Sequence, residues 1–200
     1  MFFVALTNFC FAEENQEKQN EERKLQSKIG GTIGLYIPDV PGLELQNGMR
    51  YGMFFHQTIS KDFFLSLNLG YQNNKYANMP YELSRTSIPI SLGCNLFLLN
   101  SKIRPYLGLE LGLINRKVPD IIDSRVTGYN ETNFIIIPTI GVSFPVSKNI
   151  SLEMNARVER LKAEGIAIMM TRDGYYYHEI GNASRELNFG INFGIAYLIP

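Results

Sequence analysis

The chain has 200 residues, with 19 Lys+Arg set against 19 Asp+Glu and a formal net charge of zero. That length suits one domain, or one domain with a tail, and is enough to bury a core without staples. Balanced charge argues against the clustered cationic surface that nucleic-acid binding needs, so no nucleic-acid partner is expected. The 45% apolar content excludes bulk disorder, and no apolar run reaches the roughly 18 residues of a membrane-spanning helix. A barrel that hides its hydrophobicity by alternating it passes all of these filters.

Residues 1–12 (MFFVALTNFCFA) carry no charge, end in a small residue and precede the polar run EENQEKQNEERKLQSK. They read as a signal peptide remnant, although a basic n-region is missing. Thr7-Asn8-Phe9 precedes Cys10 where a lipidation signal would place Leu at the first position, so lipidation is not expected. Cleavage would leave Cys94 alone and exclude an intramolecular disulfide. Residues 13–27 are expected to form a flexible polar lead-in, and residues 28–200 the folded domain.

From Lys28 onward the hydrophobic period is 2 rather than 3.6. The first segment sets Ile29, Ile33, Leu35 and Ile37 against Thr32, Gly34 and Tyr36. The second sets Met49, Tyr51, Met53 and Phe55 against Arg50, Gly52, Phe54 and His56. The third is the cleanest: Phe63, Leu65, Leu67, Leu69 and Tyr71 share one face, and Phe64, Ser66, Asn68, Gly70 and Gln72 the other. The fourth carries Ile88, Ile90, Leu92, Cys94, Leu96 and Leu98 on one side, and the fifth sets Leu107, Leu109, Leu111 and Leu113 against Gly108, Glu110 and Gly112. In the sixth, Phe134, Ile136, Ile140, Val142 and Phe144 oppose Asn133, Thr139, Gly141 and Ser143. The seventh pairs Ile150, Leu152, Met154, Ala156 and Val158 with Ser151, Glu153, Asn155, Arg157 and Glu159. The eighth alternates Leu187, Phe189, Ile191, Phe193, Ile195, Tyr197 and Ile199 with Asn188, Gly190, Asn192, Gly194 and Ala196.

The apolar face of these segments holds no Asp, Glu, Lys or Arg, although 19% of the chain is charged. Lipid imposes such purity, because a cation at mid-bilayer on the outside of a barrel costs about 2–4 kcal/mol. The connections alternate long and short: Pro38–Asn47, Thr58–Asp62, Asn73–Ser84, Asn100–Arg104, Lys117–Glu131, Pro145–Asn149 and Lys162–Ser184. Extracellular loops and periplasmic turns produce that alternation, with both chain ends on the periplasmic side. Pro89 and Pro138 fall inside segments and each removes a ladder donor, so a bulge is expected at each. A soluble lipocalin-like barrel is the competing fold, with the apolar face lining a cavity instead.

TSIPISLGCNLF, IRPYLGLELGL, PTIGVSFPVSKNISLEMNARVE and the closing LNFGINFGIAYLI together resemble the small eight-stranded outer-membrane β-barrel family, the transmembrane domain of OmpA-like and OmpX-like porin-superfamily proteins. The resemblance implies an all-β, eight-stranded antiparallel up-and-down transmembrane β-barrel in the bacterial outer membrane, surrounded by membrane lipids. It implies the barrel-assembly machinery as a partner in biogenesis. The last strand is similar to the signal that machinery reads, with Asn192, Gly194, Tyr197 and Ile199 at its polar, glycine and two hydrophobic places, although a terminal Phe is missing. No peptidoglycan-binding domain is expected after the barrel.

An eight-stranded barrel is just wide enough for inward side chains to fill it. The inward set includes Lys28, Arg50 and Arg157 with Glu110, Glu153 and Glu159. Three charges of each sign predict a neutral lumenal ion-pair network in which each partner offsets the other's desolvation. A narrow solute or ion pathway, or a small-ligand carrier, is the alternative. Some barrels of this size modify lipid A with a His and a Ser near the membrane face. Here His56 has Thr58 at the matching spacing, and His178 has no Ser two residues away. No metal cluster, phosphate loop or nucleophile elbow is present, so neither cofactor nor enzymatic activity is expected.

The last long connection runs Ile166, Ile168, Met169 and Met170 into Thr171-Arg172-Asp173-Gly174, then Tyr175, Tyr176 and Tyr177. Asp-Gly between apolar arms signals a hairpin turn. Strands seven and eight are therefore expected to continue beyond the bilayer as a ribbon. Its tip residues Ile168, Met169, Met170, Tyr175, Tyr176 and Tyr177 are the candidate contact with an extracellular ligand or host surface; the alternative is that they cover the barrel mouth or rest at the headgroup interface, where Tyr is at home. The expected role is non-enzymatic: envelope structure or surface contact through the loops.

Overall fold

The computed structural model describes residues 26–39, 45–77, 83–99, 101–122, 125–171 and 174–199, and gives the backbone alone at 118–129 and 162–185. The signal remnant at 1–12 and all but the end of the lead-in lie outside the described residues. Eight strands follow one another: β1 (Ser27–Asp39), β2 (Gly48–Ser60), β3 (Phe63–Lys75), β4 (Ser84–Phe97), β5 (Arg104–Ile122), β6 (Arg125–Pro145), β7 (Ile150–Thr171) and β8 (Gly174–Ile199). Each pairs antiparallel with its neighbours in sequence, and β8 closes onto β1 from Ser27↔Ile199 to Asp39↔Leu187. Closure leaves no open edge in the wall, which is what hydrocarbon demands of a sheet.

The period-2 pattern sorts the two faces. On β3, Leu65, Leu67, Leu69 and Tyr71 are exposed, while Phe64, Ser66, Gln72 and Asn74 are buried. The same division runs round the wall, and the outermost side chains are among the most apolar: Leu92 is 66% exposed, Ile195 62% and Met53 60%. A soluble monomer does not carry a continuous apolar belt of this extent. Because the polar side chains are the buried ones, the lipocalin-like arrangement is the reverse of what is found. Among the described side chains of the strands, outward-facing charges such as Asp39, Lys75, Lys117 and Arg160 stand beyond the apolar belt on the long-hairpin side.

Close packing across the lumen relies on missing β-carbons. Gly141 lies opposite Tyr106, and a Cβ at Gly141 would overlap the Tyr106 ring. Gly70 makes the same kind of room for Pro89, whose Cγ would stand 2.9 Å from an added Cβ.

The two mid-strand prolines are accommodated without the expected bulges. Between β3 and β4 the ladder stops at Leu69↔Ile90 and resumes at Gln72↔Ser87, with no residue inserted. Between β6 and β7 it stops at Ile136↔Arg160 and resumes in the same register at Thr139↔Arg157. On their other sides both prolines are paired, Pro89 with Ile114 and Pro138 with Leu109. In an antiparallel sheet a residue's N–H and C=O point to the same neighbour, so the lost donor opens the ladder on one side only. The flanking pairs hold the register.

A second expectation is corrected at the long-strand end. Residues 117–122 and 125–131 are strand rather than loop: β5 and β6 stay paired out to Ile122↔Arg125. Strands β7 and β8 do run on as the expected two-stranded ribbon, paired to Thr171↔Gly174 with a register shift between Ala163 and Gly165. Gly174 therefore opens β8 rather than occupying the turn. A hairpin in water satisfies its backbone by pairing and needs no apolar face, so alternation gives no warning of it. Pairing between β6 and β7 ends at Ile135↔Leu161, and beyond that level β5–β6 and β7–β8 continue as separate two-stranded ribbons.

Candidate functional site

The lumen is filled in storeys. Nearest the short turns lies an aromatic floor, where the His56 ring sits 4.4 Å from Phe54 and 4.8 Å from Phe64 by centroid. Phe64 packs in turn on Phe97 at 4.7 Å and edge-on to Tyr106 at 5.3 Å. His56 is thus held as a packed ring. Beside this floor Lys28 donates from Nζ to Ser143 Oγ at 2.9 Å and to Glu153 Oε1 at 3.1 Å. Ser143 and Ser151 hydroxyls donate to the same Glu153 oxygen at 2.9 and 3.2 Å.

At mid-height four charges close on one another. Arg50 on β2 is hydrogen-bonded to Glu159 on β7, and Gln72 Nε2 donates to Glu159 Oε2 at 3.4 Å. Arg157 reaches Glu110 Oε2 from Nη2 at 3.2 Å and brings Nε to 3.4 Å from Glu159 Oε1. Ser91 donates to Glu110 at 2.6 Å and Thr139 at 3.2 Å, so with Arg157 that carboxylate accepts from three donors. The void at this level is about 20 Å³, room for about one water. The structure thus brings Lys28, Arg50, Glu110, Glu153, Arg157 and Glu159 together as three oppositely charged pairs, two of them joined through Arg157.

Above this lies an apolar layer of Ile114, Ile135, Ile137 and Leu161, all essentially inaccessible. It is capped by a further ion cluster that the sequence reading missed. Arg116 forks onto Glu186 at 2.7 and 2.8 Å, and Arg85 forks onto the same carboxylate at 2.9 and 3.3 Å. Glu131 stands 3.4 Å from Arg116, and Asn188 donates to Glu186 at 2.8 Å. A carboxylate gripped by two guanidinium forks is a strong, geometrically specific arrangement. The signal for it lay in parity. Arg85 is in step with Ser87, Arg116 with Ile114 and Glu110, and Glu186 with Asn188, each just past the apolar stretch of its strand.

Of the other predicted positions, Asn192 is buried and donates to Asn155 Oδ1 at 2.8 Å. Tyr197 and Ile199 face outward near the end of β8, and Gly194 faces in beside Thr32. At the ribbon tip the backbone pairs Ile168 with Tyr177, Met169 with Tyr176 and Met170 with Tyr175; those side chains lie outside what is described. No group of metal-binding residues occurs among the described residues.

A closed eight-stranded antiparallel wall with an apolar exterior is the architecture of the small outer-membrane β-barrels, and solved structures share the fold. Neisserial surface protein A matches with a TM-score of 0.60 at 14% identity, over 86% of this chain and 96% of its own. Ail, the attachment invasion locus protein of Yersinia pestis, matches in its complex with the heparin analogue sucrose octasulfate. Its TM-score is 0.57 at 10% identity, over 88% of this chain and 99% of its own. OprG from Pseudomonas aeruginosa matches at 0.55 and 11%, over 88% and 97%. At these identities the likeness is one of fold. No family model and no curated protein matches the sequence.

Proposed function

We propose that this protein is a non-enzymatic bacterial outer-membrane barrel whose lumen is a sealed polar core and whose work is done at the cell surface by its long hairpins. The mid-height cluster carries the reading: Arg50, Glu159, Arg157 and Glu110 are all buried and spend their charges on each other. Opening a pathway there would separate buried opposite charges, a step that costs several kcal/mol per ion. The apolar layer at Ile114, Ile135, Ile137 and Leu161 bars ions as well.

With the lumen closed, contact falls to what projects past the bilayer. The β7–β8 ribbon extends furthest along the chain from its last three-way pairing, and its tip is proposed to touch an extracellular ligand or host surface through Ile168, Met169, Met170 and Tyr175–Tyr177. The attachment invasion locus protein is a precedent for this fold in a protein named for attachment. Residues 1–12 are proposed to direct export, and Asn192, Gly194, Tyr197 and Ile199 to be read by the barrel-assembly machinery.

Purified protein in planar bilayers should give no stable current, and a persistent single-channel conductance would overturn the sealed lumen. Cells expressing a form with residues 165–183 replaced by a short turn should lose adhesion to host-cell or matrix-coated surfaces. Undiminished adhesion would remove the ribbon from that role.

A further inference from the structure

The upper ion cluster stands where the wall ends. On β8, Leu187 is the last residue on the way to the hairpin that pairs with β1, through Asp39. On β7, Leu161 is the last that pairs with β6, through Ile135. Glu186 pairs with Leu161, so it sits on the rung at which the β7–β8 hairpin leaves both neighbours. Arg116 holds the corresponding place on the other hairpin. It pairs with Glu131 on β6, one residue before β5 loses β4 at Thr86↔Lys117. Arg85 is one residue inside the start of β4 at Ser84.

In this closed ring of eight strands β4 stands opposite β8, so Arg85 reaches across the lumen to the root of the β7–β8 hairpin. Arg116 reaches the same carboxylate from the root of the β5–β6 hairpin. Each arginine uses two nitrogens on the two Glu186 oxygens, which fixes direction as well as distance. All three side chains are buried, where salt screens them little. The mid-height cluster has no such leverage, because Arg50, Glu110 and Arg157 lie on rungs already paired to both neighbours. Just beyond the upper cluster the β7–β8 ladder shifts register, between Ala163 and Gly165. Such a shift re-aims a ribbon, and the direction it starts from is set at Glu186.

We propose that Arg85, Arg116 and Glu186 form a strut that locks the roots of the two long hairpins to one another, so that the hairpins meet a partner as one surface rather than as two independent arms. The partner in this statement rests on the surface-contact role proposed above; the strut does not, and it is read separately.

The full chain, with Cys10 and Cys94 replaced by Ser, is spin-labelled at Thr127→Cys on β6 and Ala167→Cys on β7 and refolded into lipid vesicles. Pulsed electron resonance then gives the distribution of distances between the hairpins, and heat-modifiable gel migration establishes that each variant is folded. Arg85→Met/Arg116→Met/Glu186→Leu removes the three charges together, so that none of them is left buried alone; it should at least double the width of the distribution. Glu186→Gln keeps the side-chain volume and should broaden the distribution by a smaller factor. A label pair in the wall, Leu67→Cys with Met154→Cys, should keep its width in both variants. Widths unchanged by loss of the strut, equal broadening in the wall, or a native hairpin distribution more than twice as broad as the wall pair's would overturn the strut. Adhesion of expressing cells should fall in the triple variant as it does when residues 165–183 are replaced. Adhesion lost on that replacement but kept without the strut would overturn the single surface. Adhesion indifferent to both changes would remove the contact role and with it the partner, while the distance distributions decide the strut.

Discussion

Strand β7 lives in two environments. From Ser151 to Leu161 it lies between β6 and β8, the ladder to β6 open only beside Pro138, and sends Glu153, Arg157 and Glu159 into a lumen where each meets an opposite charge. From residue 162 onward it is paired to β8 alone. In the lower half a side chain is answerable to lipid on one face and to buried partners on the other. In the upper half the backbone is satisfied by a single neighbour. Tolerance to substitution should therefore change sharply along one strand.

The largest effect is expected at the bottom of that contrast. Glu159→Ala would strip Arg50 of its carboxylate and Arg157 of one of two, leaving cationic groups buried. Loss of one partner of a buried pair costs about 3–5 kcal/mol, readable by urea unfolding in lipid vesicles. A loss below 1 kcal/mol would mean the cluster is wet. The outer face should respond next: Leu92→Arg is expected to cost about 2–4 kcal/mol in the same assay, whereas Lys117→Leu at the rim should be nearly silent. Gly141→Val would drive a side chain into the Tyr106 ring, and overpacking of this kind costs about 1–3 kcal/mol. Its readout is the same unfolding midpoint. Smallest of all, Ile168→Ser in the ribbon should shift stability by less than about 0.5 kcal/mol while reducing surface adhesion. A large destabilisation there would show that the ribbon is part of the folding core.

The legibility of the sequence follows the same division. Where one face meets lipid and the other a packed lumen, a single-residue slip exchanges them, so the alternation from Phe63 to Gln72 reported strand, register and facing at once. Lys28, Arg50, Glu110, Glu153, Arg157 and Glu159 were visible as inward charges for that reason. Arg85, Arg116, Glu131 and Glu186 were not, because they sit one or two steps beyond the apolar stretch, in stretches where the outward residue is polar too. The inward layer of Ile114, Ile135 and Ile137 was hidden by the run Phe134-Ile135-Ile136-Ile137, which is apolar on both faces and so has no period to read. The extension of β5 and β6 to Ile122 and Arg125 rests on backbone pairing, to which hydrophobic patterning is blind.

Cys94 offers the most direct measurement of which way the wall faces, since its side chain is exposed within the apolar stretch of β4, between Leu92 and Leu96. With Cys10 replaced by Ser, a nitroxide on Cys94 in reconstituted vesicles should relax strongly with oxygen, which partitions into acyl chains, and weakly with a water-soluble nickel chelate. The opposite ranking, strong relaxation by the chelate and little by oxygen, would contradict a barrel whose apolar side meets lipid.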